Sequence, residues 1–127
     1  MNEDLLRVLT DARRLVGQRD VMLRVEAANL ETVYVGELDG QWLASDRGET
    51  FMFLASERAT YEPWSAETAR HAIQGLAVEL VGEETEHEAW YRIQAAIGES
   101  TVLASVVALV ADAIDRVFQA HLQRDHR

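Results

Sequence analysis

Residues 31–54 read ETVYVGELDGQWLASDRGETFMFL, and how they fold decides the rest of the chain. Asp39-Gly40 is a strong hairpin signal, because both central residues of a type I′ turn need positive φ. Asp46-Arg47-Gly48 supplies a second turn, with a carboxylate that can accept nearby backbone N–H groups and a glycine that tolerates φ > 0. Between and beyond these turns stand β-branched, aromatic and aliphatic residues: Val33, Tyr34, Val35, Trp42, Leu43, Phe51, Met52, Phe53 and Leu54. The stretch therefore predicts three strands joined by two tight turns. Such a meander has an apolar face that flanking helices must cover.

Upstream, Val21 to Ala27 alternates: Val21, Leu23, Val25 and Ala27 share one face, Arg24 and Glu26 the other. That is the period of a half-buried strand, giving four sequential strands, most economically antiparallel. Before it, Leu5, Leu6, Val8, Leu9, Ala12, Leu15 and Val16 fall at helical spacing, so a helix is predicted over 3–16, stopped by Gly17. Downstream, Pro63 ends a loop and Ser65 caps a middle helix with Ala66, Ala69, Ile73, Leu76, Ala77 and Leu80 inward. Gly75 either ends that helix or marks a close approach to the sheet. Residues 78–80 and 89–95 alternate again, which predicts two more strands around an acidic loop from Glu83 to Glu88, although Trp90, Ile93 and Ile97 also fit a helix. A last helix runs from Thr101 to about Leu122, capped by Ser100, with 123–127 as a frayed tail. The fold class is α+β: a four-strand antiparallel meander with two further strands, flanked by N-terminal, middle and C-terminal helices in one domain, 1–127. Val33, Val35, Phe51, Phe53, Leu9, Ile73 and Val106 are the expected core.

The chain has 127 residues and no cysteine, which removes disulfides, thiolate catalysis and cysteine-bound zinc. Its net charge is −10. Residues 31–100 hold four Arg against fourteen acids, and both flanks are neutral, so the middle carries all of it. A field of that sign repels nucleic acid and membranes and favours basic partners or solubility alone. The opening MNEDLLRVLTDARR, acidic before any apolar run, is not expected to act as a secretory signal, and the apolar run Val102–Ala111 is about half the ~20 residues of a membrane span. A soluble, cytoplasmic protein is expected.

The order helix, strands, helix, strands, helix resembles the small α+β fold of secretion-chaperone-like bacterial proteins. From about Val33 to Phe118, a strand, Asp39-Gly40, then Trp42-Leu43-Ala44-Ser45-Asp46-Arg47-Gly48-Glu49-Thr50 is similar to a bacterial and phage family, number eighteen twenty-eight among the domains of unknown function. The family hallmark, Ser/Thr-Asp-x-Gly after a strand, stands here as Ser45-Asp46-Arg47-Gly48. The resemblance implies a fold and no known activity.

Asp46 is the leading polar candidate, as a partner contact at the lip of the sheet or as a turn residue accepting N–H groups ahead of Gly48. Glu83, Glu84, Glu86, His87 and Glu88 do not space like a calcium loop, and zinc would need further fixed ligands, so a solvated acidic loop is expected there, one that could touch a basic partner. His71, His121 and His126 have no motif partners and read as surface or boundary residues. Trp90 is the tryptophan placed best for exposure, opposite Tyr91 and Ile93. The apolar first half of the last helix, with Val107 at its centre, would exceed what one sheet can cover, which predicts a homodimer through that helix; the alternative is that the first helix and the sheet bury it from both sides within one chain. No catalytic, cofactor or metal constellation is legible. The leading reading is a non-enzymatic acidic module that binds a protein partner. The alternative is a phage-type inhibitor that mimics nucleic acid to block a DNA-binding or defence enzyme.

Overall fold

The computed structural model describes residues 22–38, 40–57, 66–84, 89–98 and 101–125. The helix expected over 3–16, with Leu9, lies outside them. Among the described residues the elements are β1 (Met22–Glu26), β2 (Thr32–Leu38), β3 (Gln41–Ser45), α1 (Glu49–Glu57), α2 (Ala66–Ala72), β4 (Glu79–Glu84), β5 (Ala89–Ala96) and α3 (Leu103–Asp125). The strands form one antiparallel sheet in the order β1-β2-β3-β5-β4. The fold class is α+β, as the alternating and helical periods predict.

The register separates two faces. Arg24, Tyr34, Ser45, Gln94 and Glu79 stand opposite one another across the five strands, on the polar side. Their neighbours Val33, Val35, Ala44, Ile93 and Ala95 form the inner face and pack with α3. Tyr91, Ile93, Ala95 and Ile97 are all buried, so the alternating reading of 89–97 holds and the helical one falls. α3 lays Val106, Val107, Val110, Ala113, Ile114, Val117 and His121 inward, the spacing of a helix with one buried stripe. Asp112 and Arg116 pair across one turn at 3.1 Å on its outer side. The tip of the β1–β2 hairpin is pinned to this helix, because the Asn29 side-chain amide donates to the carbonyl of Ala111 at 3.1 Å.

Three expectations are corrected. Residues 49–54 are not a strand: Phe51 to Leu54 lie in α1, and β5 takes the place beside β3 where that strand was expected. A four-residue apolar run has no period that separates strand from helix, and the turn before it decides. Arg47 and Gly48 are both left-handed, at φ 56° and 80°, which swings the chain off the sheet after Ser45. On the helix, Thr50 and Leu54 share the buried side, one turn apart, so Phe53 points outward at 55% exposure rather than into the core. Second, Leu80 belongs to β4 and not to the middle helix; that helix stops at Ala72, with Gly75 at φ 88° in the turn that follows. Third, His121 is fully buried, and α3 continues to Asp125, through residues expected to fray. The His121 Nδ1 lies 2.8 Å from the Val117 carbonyl oxygen, so its ring N–H is satisfied within the helix itself.

Gly40, between β2 and β3, sits at φ 80° with nothing within 4 Å of where a Cβ would stand. Gly40→Val should therefore cost only the left-handed backbone, about 1–2 kcal/mol. Thermal unfolding reads this as a lowered Tm; an unchanged Tm would show that valine is accommodated at that turn.

Candidate functional site

The turn between β3 and α1 concentrates the polar chemistry of the inner sheet. Ser45 ends β3 opposite Gln94, and its Oγ accepts the Arg47 N–H at 3.0 Å. One residue on, Asp46 continues the ladder. Its N–H donates to the Ile93 carbonyl at 3.1 Å, and its Oδ1 accepts the Ile93 N–H at 2.8 Å. Both backbone groups of Ile93 are thus held by Asp46, with a carboxylate oxygen standing where a carbonyl would. The same Oδ1 accepts the Gly48 N–H at 2.9 Å, and the Asp46 carbonyl accepts the Glu49 N–H at 3.1 Å. This closes the turn and starts α1, whose positive end favours a nearby carboxylate. Gly48 is needed for its left-handed φ; a Cβ there would make only a close contact, 3.4 Å, with the Tyr91 carbonyl oxygen.

Asp46 is 2% exposed, and its second oxygen, Oδ2, is buried with no hydrogen-bond partner. Burial pushes its carboxyl above the usual aspartate range, while hydrogen bonding from the Gly48 amide, the Thr50 hydroxyl, and the Ile93 and Thr50 amides pulls the other way without outweighing it. Asp46 is therefore not at the lip of the sheet, and a side chain so enclosed cannot serve as a partner contact. The turn-residue reading is the one its geometry supports.

Outside this turn, the Tyr34 hydroxyl donates to Glu49 Oε1 at 2.6 Å, which raises the phenol pKa because ionisation would lose that bond. The Arg47 guanidinium lies over the Tyr34 ring at 5.1 Å. These groups tie the start of α1 to the polar face of the sheet.

The other candidates scatter. Val107 is 7% exposed and packs in the core, so it is not available to a second copy. The reason is that α3 meets both the sheet and α2, more cover than a single sheet would provide. Glu83 and Glu84 end β4, an edge strand paired with β5, and Glu83 stands opposite Trp90 in the register. Glu86 is outside the described residues. Among the described residues no three His, Cys, Asp or Glu come together as a metal site. No described helix is long and apolar enough to cross a membrane.

The surface that sequence reading missed is apolar. Met52 is 66% and Phe53 55% exposed on α1, and the Phe53 ring meets the edge of half-buried Phe118 of α3 at 5.3 Å and 87°. The signal was present in Asp46-x-Gly followed by Glu49, a helix start. On that reading, Thr50 and Leu54 go inward and Met52 and Phe53 outward. No family model, curated protein or solved structure matches the chain.

Proposed function

We propose that this protein is a non-enzymatic interaction module whose partner is a protein segment that is apolar and basic. The observation that carries this reading is the exposed Met52–Phe53 pair backed by Phe118. Adjacent exposed apolar side chains with an aromatic anchor are what binding surfaces use, and aromatic residues carry a disproportionate share of binding energy. The charge of −10 supplies the second half of the chemistry, since it attracts a basic partner and repels acidic ones.

A homodimer is a separate and weaker part of the reading. With Val106, Val107, Val110 and Ala111 in the chain's own core, α3 offers exposed Ala104 and Ala108, with exposed Val102 just before it, for a two-fold contact.

The test is a titration with a synthetic amphipathic peptide of leucine and lysine at helical spacing. Amide shifts should move in residues 49–57 and around Phe118, and Phe53→Asp should weaken binding at least tenfold while leaving the Tm nearly unchanged. Shifts spread evenly over the surface, or equal binding by Phe53→Asp, would sink the reading. Light scattering on the same samples tests assembly: a mass of 14.3 kDa at high micromolar concentration rules out the dimer.

A further inference from the structure

The Asp46 carboxyl joins two parts of the chain that are 47 positions apart, the start of α1 and the middle of β5. It does so with one oxygen. Oδ1 takes both the Gly48 and Ile93 N–H groups, and Oδ2 is enclosed without a partner. Charged side chains on the packed elements are engaged elsewhere. On its own turn, Arg47 covers the Tyr34 ring, and Glu49 accepts from the Tyr34 hydroxyl of β2. On β5, the Arg92 Nε donates to Gln94 at 2.8 Å, and Tyr91 is buried. From α2, Arg70 lies over the Tyr91 ring at 5.6 Å. From α3, Phe118 meets α1, and the buried His121 bonds back to its own helix. Among the described residues none of these cations forms an ion pair with Asp46.

We propose that Asp46 is a proton-operated clasp between α1 and β5, which holds more tightly when its carboxyl is neutral. The argument is geometric. Ionised, the group keeps an unpaired charged oxygen in a site closed to water, which is expensive. Neutral, it keeps Oδ1 as the carbonyl acceptor of both amides and carries its proton on Oδ2, and a buried hydroxyl costs far less than a buried unpaired charge. Protonation thus removes the unpaired charge without breaking either bond.

The sign of the pH dependence follows. The folded-state value of this carboxyl is raised above the ordinary 3.8, so its contribution to stability is fully present below 3.8 and is lost as pH rises through the folded value. Most acids that are paired in a fold act in the opposite sense. The joint between α1 and β5 therefore opens more readily at neutral pH than in acid, and the amides of Gly48 and Ile93 report that opening.

Two measurements on the full chain test this. The first is a carbon NMR titration of the wild type labelled at its aspartate carboxyls. The Asp46 carbon should titrate with a midpoint above 3.8. A midpoint at or below that value overturns the clasp. The second compares urea unfolding of the wild type and Asp46→Asn, which keeps the Oδ1 acceptor and cannot ionise. The wild type should lose stability relative to Asp46→Asn as pH rises, and a difference that stays constant or grows in the wild type's favour overturns the proposal. Should the variant fail to fold, hydrogen exchange of Gly48 and Ile93 in the wild type decides. Their protection, corrected for the intrinsic pH dependence of exchange, falls with rising pH if the clasp exists, and constant protection excludes it.

Discussion

Asp46→Ala is expected to lower the stability of the protein by about 2–4 kcal/mol. The substitution removes the acceptor of two amides at once, those of Gly48 and Ile93. A buried donor left without a partner costs about 1–3 kcal/mol. Part of that loss is returned, because the unpartnered Oδ2 disappears with the side chain. What remains is a large share of the ~5–15 kcal/mol that holds a domain of this size together. Urea unfolding at pH 7 should show a lower midpoint with little change in slope, the mark of lost stability without a change in the surface exposed. Asp46→Asn should retain most of the stability because its side-chain oxygen can still take both amides. If the alanine variant matches the wild type, the two amides have found other acceptors, and the turn does not depend on Asp46.

How much of this was legible depends on how many residues could vote. The strand β1 was readable because its positions alternate, and β2 because a hairpin turn follows β-branched and aromatic residues; β5 alternates too, but Trp90, Ile93 and Ile97 also fit a helix, so its sequence left both open. The helix α3 was readable from its length and apolar run, but not its single buried stripe: Val102 to Ala111 looked apolar on all sides, and His121, which is fully buried, looked like a boundary residue. The run Phe51 to Leu54 offered four apolar residues and no period. Nothing within the run separates helix from strand; the signal stands just before it, in Asp46-x-Gly-Glu49, where the left-handed Arg47 and Gly48 turn the chain into α1. The same miss hid the exposed Met52 and Phe53, because a strand would have turned Phe51 and Phe53 to one side together. Asp46 was picked out correctly as a turn residue accepting N–H groups, and Gly48 is its local partner. Its bond to Ile93 could not be read, since it depends on which strand comes back beside β3, a choice made by topology between residues far apart in sequence.

That topology makes the two sides of α3 respond oppositely to the same charge. Val110 is fully buried in the core, against the sheet. Val110→Asp removes a packed side chain worth roughly 1.5–3 kcal/mol of burial. It also forces a carboxylate into a site without a partner, which costs several kcal/mol more unless the group takes up a proton. A loss above about 4 kcal/mol is expected, enough to leave the chain unfolded or aggregated at 25 °C. Val107→Asp should fail in the same way, because Val107 lies in the same core at 7% exposure; it should not yield a folded monomer, as a residue at a dimer surface would. Ala108→Asp is the control one position further on. Ala108 is exposed, so the variant pays only helix propensity and a like-charge neighbour at Asp112, together about 1 kcal/mol, and the Asp112 charge is already partly neutralised by Arg116. Circular dichroism of the three variants reads the result directly: two should lose their cooperative melt and one should keep it. If Val107→Asp instead stays folded with an unchanged Tm, the inward face of α3 has been assigned to the wrong residues, and the outer surface left for a second copy must be redrawn around Val107.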